Sequence, residues 1–374
     1  MKLLILTITS TNYGNRLQNY AVNHLLKSIS MEPENLVVYN FLQYDKSLVK
    51  KSIKRLLPIW VLKKVSDLIH EKRNALDDRK DRLFQEFSER YMDNRAIYVH
   101  TSKELSRKIK GNPYVLVGSD QIWNPDFAGL DYFFADFTVP EKRIALSASI
   151  GYTELSGEIQ ERYTKYWNRM KYISVREESA ADLIEKATGR RPDVYLDPTL
   201  LLTREEWDEI EQVPKCQVPD SYILCLFLGN VPEDITKIYE KAYGMKCVVL
   251  NDKNFPEHFL VDPSEFIWMI KNSSLILTDS FHCTVFSIIY HKDFVVFERE
   301  DPVLKNMFTR METLLSRFDL LDRIQKNGEP LCLERIEEER FLASDEIRAE
   351  ERERVIRKLQ EVIERRDQHE TSQP

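Results

Sequence analysis

The chain has 374 residues and a mass of 44.3 kDa, which at roughly 150 residues per domain predicts two domains. Apolar residues make up 43% and charged residues 31%, enough for large cores and unsuited to bulk disorder. With 54 basic residues against 61 acidic ones, a net charge of -7, the chain lacks the basic excess of a general nucleic-acid binder. Cys216, Cys225, Cys247, Cys283 and Cys332 are odd in number and form no C-x-x-C pair, which argues against a disulfide framework or a structural zinc site. The apolar run Leu3–Leu6 is too short for a signal peptide. No run approaches the ~20 apolar residues that span a bilayer. A soluble, cytoplasmic protein is expected.

In chain order, apolar strand-like runs alternate with helical patterns. Leu3–Leu6 reads as a buried strand, and a helix with Leu17, Tyr20, Ala21 and Leu25 on one face follows the loop 9–15. Leu36–Tyr39, Tyr114–Val117, Ile144–Leu146 and Tyr172–Val175 read as further strands. The pattern breaks near 212–220, where Pro214 and Pro219 stand, and then restarts. Strands are expected at Tyr222–Leu228, Cys247–Leu250, Leu275–Leu277 and Phe294–Phe297. Helices are expected at Glu233–Tyr243, Phe266–Ile270 and Thr284–Tyr290. This alternation predicts doubly wound α/β packing. The boundaries are 1–212 for a first domain, 220–342 for a second, and 343–374 for a charged helix and tail packed by Ile347, Val355, Leu359 and Ile363.

Open parallel sheets bind ligands beyond the carboxyl ends of their strands. After the first strand, Asn12, Gly14, Asn15 and Gln18 surround a helix start, which favours an anion or is simply a capped turn. After the Tyr114 strand comes Gly118-Ser119-Asp120-Gln121-Ile122-Trp123-Asn124, dense in polar types. Asp120 suits a proton acceptor and Trp123 a sugar face; the same residues suit an N-cap with a buried tryptophan. Ser149 lies in a small-residue loop after the Ile144 strand. Arg176 follows the Tyr172 strand, placed for a carboxylate or phosphate or for a surface pair. Asp197-Pro198-Thr199 ends the next short strand, at a functional position or simply as a turn. After the Leu275 strand come Asp279, Ser280 and His282, the last in the first turn of a helix; Cys283 reads as a small core residue. Arg299 and Arg310 either face the cleft or are solvated.

Four segments occur in order: Asn12 to Gln18, Gly118 to Asn124, Ser174-Val175-Arg176-Glu177 and Thr278-Asp279-Ser280-Phe281-His282. Together they resemble the polysaccharide pyruvyl transferase family from about residue 3 to about 325. The resemblance implies two Rossmann-like domains in a glycosyltransferase B type arrangement. It also implies transfer of the enolpyruvyl group of phosphoenolpyruvate onto two hydroxyls of one sugar, with release of phosphate. Arg176 matches an arginine of the family's donor site and His282 its histidine. The family's second arginine is absent, with Ser280 in its place and Phe281 in place of a leucine. Arg310, Arg299, Arg16 or helix N-termini would then supply the charge.

The expected roles are His282 as acid or phosphate contact, Asp120 as base and Arg176 as anion contact. Asn15, Gln18, Ser119, Gln121, Trp123, Ser149, Asp279, Ser280 and Arg310 are expected to bind substrate. No cofactor and no metal is expected. Residues 46–73 carry nine basic residues against two acidic ones, interleaved with apolar residues and Trp60. Such a segment suits an anionic membrane surface, and equally an amphipathic helix pair packed on the first domain. On the first reading the acceptor is lipid-linked, of the undecaprenyl-diphosphate kind, at the inner face of the membrane. Two rivals share the fold: a nucleotide-sugar glycosyltransferase and an inactive scaffold of polysaccharide assembly.

Overall fold

The computed structural model describes residues 1–40, 75–99, 102–126, 131–229, 233–298, 305–326, 329 and 331–364. The basic segment 46–73, Arg299 and the tail beyond 364 lie outside the described residues.

The chain is an α/β protein with two parallel sheets. The first holds β1 (Lys2–Leu6), β2 (Glu32–Asn40), β3 (Asn94–Val99), β4 (Tyr114–Asp120), β5 (Arg143–Ala148), β6 (Tyr172–Val175) and β7 (Asp193–Val194). Their order is β3-β2-β1-β4-β5-β6-β7. The second holds β8 (Tyr222–Leu226), β9 (Lys246–Leu250), β10 (Leu275–Thr278), β11 (Phe294–Phe297) and β12 (Ile324–Gln325), in the order β12-β11-β10-β8-β9. Every residue of β4, β5, β8, β10 and β11 is buried, as a sheet covered by helices on both faces requires. That burial is why these strands read as unbroken apolar runs.

The helices that bear on the site are α1 (Tyr13–Ser28), α2 (Ala75–Tyr91), α3 (Arg204–Asp208), α4 (Pro263–Asn272), α5 (Phe281–Ile289), α6 (Lys305–Arg317) and α7 (Glu338–Glu364). Local chemistry sets their starts. Asn12 caps α1 by accepting from the Asn15 amide. Asp262 and Glu265 form a capping box on α4, with Pro263 in its first turn. α5 begins at Phe281, three residues before the expected start, because Ser280 Oγ accepts from the Cys283 amide and supplies the cap. β4 likewise runs on through Gly118 and Ser119 to Asp120, so these residues extend a strand where a loop was expected.

One apolar core spans both sheets. Tyr13 of α1 stacks on Phe266 of α4 at 4.4 Å between centroids, and its hydroxyl donates to the Val261 carbonyl at 3.0 Å. Trp207 of α3 meets Phe286 of α5 edge-on at 4.9 Å. Lys80 of α2 lies buried over the Phe259 ring and donates to Asn251 Oδ1 at 2.8 Å. The amino end of α1 is thus wedged between the two halves.

The charged helix α7 is more than a solvated rod. Val355, Leu359 and Ile363 are buried and Ile347 is half-buried, but Ser344, Arg348 and Glu351 are buried as well. Arg348 donates to the carbonyls of Leu200 and Leu202, at 2.9 and 2.6 Å. Glu351 Oε1 accepts from the Leu196 amide at 3.0 Å. These bonds clamp the segment 196–202 from outside. Arg348→Ala leaves two buried carbonyls without their donor. It is expected to lower unfolding free energy by about 2–3 kcal/mol, read by urea denaturation. A loss under about 0.5 kcal/mol, the range of an ordinary surface change, would show that the clamp contributes nothing.

Candidate active site

Three strand ends of the first sheet and two helices of the second half converge. Asp120 is the last residue of β4 and holds a left-handed backbone, φ 65°. Aspartate enters that region more readily than most residues, so the strand can end there on a sharp turn. Arg176 follows β6, its amide donating to the Ala148 carbonyl at 3.1 Å. Asp197 caps the short 3-10 turn Pro198–Leu201 that comes after β7. His282 sits in the first turn of α5, and Arg310 comes from α6.

These five side chains form an alternating chain of charge. Arg310 Nη1 lies 3.8 Å from Asp120 Oδ1, and Arg176 Nη2 lies 3.3 Å from the same oxygen. Arg176 Nη1 reaches Asp197 Oδ2 at 2.5 Å. His282 Nε2 lies 3.6 Å from that oxygen, too far for a hydrogen bond and close enough for charge attraction when the imidazole is protonated. The Phe281 ring lies beneath both guanidiniums, 4.5 Å from Arg176 Cζ and 5.6 Å from Arg310 Cζ. Arg176 Nε and His282 Nε2 are buried and make no hydrogen bond. Both nitrogens are left over within the cluster, able to meet a further polar group.

Asp197 is the most firmly held member. Its Oδ1 accepts from the Thr199 amide at 3.0 Å and hydroxyl at 2.6 Å, and its Oδ2 accepts from Ser119 Oγ at 3.2 Å. Burial alone would raise its proton affinity, but the His282 imidazole, the Arg176 guanidinium and Thr199 outweigh that and hold it below the ordinary carboxylate range. At Asp120 burial is likewise outweighed, by Arg176, His282 and Arg310. Burial disfavours the Arg176 cation, yet Asp197 and Asp120 raise its pKa above the usual value.

The amino end of α1 closes one side. Asn15 Nδ2 donates to Asp120 Oδ2. Gly14 lies against His282 so closely that an added Cβ would stand 1.9 Å from the imidazole Nδ1. Gly118, φ 134°, lets β4 approach β5: a Cβ there would stand 2.1 Å from the Leu146 carbonyl oxygen.

The other residues expected to bind substrate divide differently. Trp123 is fully buried, stacks on Phe134 at 5.4 Å, and donates its indole N–H to the Phe133 carbonyl. It is core and offers no face to a sugar. Gln18 is buried and ties Thr7 to the Ser119 amide. Ser119 bonds the Ser147 carbonyl and Asp197, and Ser149 bonds Glu177. Asp279 accepts from the Leu228 and Gly229 amides, which fixes the loop after β8. Ser280 is the α5 cap. These side chains make framework bonds around the cluster. Gln121 is buried with its Nε2 unpartnered, beside the Gly151 backbone. Arg16 donates to the Ser10 carbonyl and Ser88 hydroxyl and takes no part in the charge chain.

Two residues stand out that sequence reading missed. Asp197 was placed at the end of a short strand but given no site role, although an acid at a sheet's carboxyl edge is well placed for one. Glu177 is buried, and its Oε1 accepts from Ser149 Oγ and from the amides of Ile150 and Gly151, closing the loop beside the cluster.

A family model described as polysaccharide pyruvyl transferase matches residues 12–301. No curated protein matches the chain. Among solved structures, similarity is found to a UDP-GlcNAc 2-epimerase from Methanocaldococcus jannaschii, 13% identical, TM-score 0.47, covering 96% of this chain and 99% of that one. A UDP-GlcNAc 2-epimerase from Neisseria meningitidis bound to UDP-GlcNAc is 10% identical, TM-score 0.43, over 96% and 100%. Anabaena Alr3699/HepE in complex with UDP and glucose is 9% identical, TM-score 0.47, over 97% and 99%. No chemistry follows from likeness at this level.

Two measurements test this geometry. Gly14→Ala drives a methyl into the His282 ring and is expected to cost about 1–3 kcal/mol of stability by overpacking. Adding His282→Ala removes the obstacle, so the double variant should lose less than the two single losses combined. Strict additivity would mean that the two residues do not touch. The second test uses acid. A carboxyl held below its unfolded value contributes stability that is present above about pH 4 and lost as pH falls. The stability gap between wild type and Asp197→Asn should therefore shrink from about pH 6 to about pH 3. A gap that stays level across that window would refute the ion pairing.

Proposed function

Because the chain belongs to the polysaccharide pyruvyl transferase family, we propose that it moves the enolpyruvyl carbons of phosphoenolpyruvate onto two hydroxyls of one acceptor sugar, forming a cyclic pyruvate ketal and releasing phosphate. The observation that carries the reading is the meeting of Arg176, His282 and Arg310, from both halves of the molecule, in one buried cluster. Phosphoenolpyruvate carries a carboxylate and a phosphate, and planar guanidiniums bind either in two-point fashion.

The chemistry assigns the roles. A proton added to the vinyl carbon makes it a methyl group and leaves C2 electron-poor. One sugar hydroxyl attacks C2 and gives up its proton. The bond from C2 to the bridging phosphate oxygen breaks, and the second hydroxyl attacks C2, its proton leaving with phosphate. The two hydroxyl protons thus balance the one gained by carbon and the one carried off. On this reading His282 donates the proton or contacts phosphate, Asp120 takes a hydroxyl proton, and the arginines hold the anionic groups. Arg310 stands in for the arginine missing at position 280. The reaction as proposed draws on no redox cofactor.

The acceptor is a sugar of a polysaccharide precursor. We propose a lipid-linked, undecaprenyl-diphosphate type carrier, on the strength of the basic, apolar segment 46–73. Among the described residues no helix is long and apolar enough to cross a membrane, so contact would be peripheral.

Incubation with phosphoenolpyruvate and a galactose-type lipid-linked acceptor should release phosphate and yield a ketal visible by mass spectrometry. His282→Ala should reduce the rate by about 10²-fold or more while keeping a native circular dichroism spectrum. Near-normal turnover by that variant removes the role of His282. Transfer from a nucleotide sugar instead would identify a glycosyltransferase, and absence of turnover with any donor a scaffold.

A further inference from the structure

The cluster that is meant to hold an anionic donor already holds two anions. Arg176 and Arg310 supply two positive charges, and Asp120 and Asp197 two negative ones. With the buried Glu177, which also acts on Arg176, the seat holds at least as much negative charge as positive. A donor with a carboxylate and a phosphate would add more negative charge to a buried site with no surplus of positive charge, which is costly unless one resident carboxylate gives way.

The two carboxylates are not equally held. Asp197 is fully buried, accepts three hydrogen bonds from Ser119 and Thr199, and sits 2.5 Å from Arg176. Asp120 makes longer ion contacts, 3.3 Å to Arg176 and 3.8 Å to Arg310, and its side chain is 12% exposed. It also sits on a left-handed backbone at a strand terminus. Asp120 Oδ1 lies against both arginines, so it occupies the position that a donor anion held by both would take.

We infer that Asp120 is a resident counter-ion: it fills the anion seat between Arg176 and Arg310 and is displaced when the donor binds. This deepens, and rests on, the reading of the cluster as a phosphoenolpyruvate site. Displacement has a consequence for the reaction. The arginines and His282 outweigh burial and keep the Asp120 carboxylate weakly basic. Once a donor takes up those cations, the carboxylate loses their stabilisation and becomes a better proton acceptor. Donor binding itself then prepares the base for the sugar hydroxyl, with Asn15 as the hydrogen-bond partner that remains.

The test measures donor binding apart from turnover. Wild type and Asp120→Asn are titrated with phosphoenolpyruvate, and separately with inorganic phosphate, by calorimetry. Removing the competing carboxylate should tighten phosphoenolpyruvate binding about tenfold, while turnover falls about 10²-fold or more. A second substitution, Asp120→Ser, should tighten binding in the same direction. Adding Arg310→Gln to Asp120→Asn should abolish the gain, since the gain requires both cations. If Asp120→Asn binds as weakly as wild type or more weakly, the counter-ion idea is overturned while the donor reading stands. If both Asp120 variants unfold by circular dichroism, Asp120 is a structural ion-pair partner and the idea is likewise overturned. If wild type neither binds phosphoenolpyruvate nor turns it over, the donor reading itself fails.

Discussion

Taking a charge out of water costs several kcal/mol, and only close opposite charges and hydrogen bonds offset it. That constraint governs the centre of this molecule. Arg176 is buried between two carboxylates, Asp197 is buried between Arg176 and His282, and Asp120 joins Arg176 to Arg310. Removing any member deprives its neighbours of one opposite charge. The two halves of the protein are therefore joined electrically as well as by their apolar core, since Arg176, Asp120 and Asp197 belong to the first half and His282 and Arg310 to the second. Any ligand of the crevice must either fit the existing balance of charge or change it.

Much of the rest of the fold serves to hold that chain of charge in place. α1 enters between the halves, and the lack of a side chain at Gly14 lets His282 lie against its backbone. The stacking of Tyr13 on Phe266 fixes how deep the helix enters. From outside, α7 grips the carbonyls of Leu200 and Leu202 and the amide of Leu196, on both sides of Asp197. A helix far along the chain thus helps to set the position of a fully buried carboxylate. Asp197 and Glu177 act alike in one respect: each spends an oxygen on backbone amides at a strand end and so stiffens the loops that carry the chemistry.

The strands were legible because parallel sheets bury both faces, so their residues stand as apolar runs whatever the loops do. Phe294–Phe297 and Glu233–Tyr243 came out with their observed limits for that reason and for helical spacing respectively. β3 was not legible: Asn94, Arg95 and Ala96 are exposed at the sheet's edge and carry no apolar signal. The polar stretch 118–120 reads as a loop but continues a strand, because its side chains bond inward to Asp197, the Ser147 carbonyl and Arg176. Trp123 illustrates the converse. A tryptophan amid polar residues suggests a binding face, and only the three-dimensional packing of Phe134 and Trp167 around it reveals a core residue. Residue type and strand-end position pointed to Asp120, Arg176 and His282; which of them share a carboxylate depends on Asp197, whose neighbours are far apart in sequence.

The departure at position 280 has a physical logic once the neighbours are known. Ser280 caps α5 and so helps to fix the turn that holds His282. Phe281 presents its face to Arg176 and Arg310 together, a contact the branched aliphatic side chain of a leucine would not supply. An arginine at 280 would also deprive the helix of its side-chain cap. On the proposed reading, carrying the second guanidinium on α6 instead separates the two tasks: α5 positions the imidazole, and α6 brings the charge. The cation then arrives from an element that contacts the first half through Asp120, so on the proposed reading its grip on a donor depends on how the two halves meet.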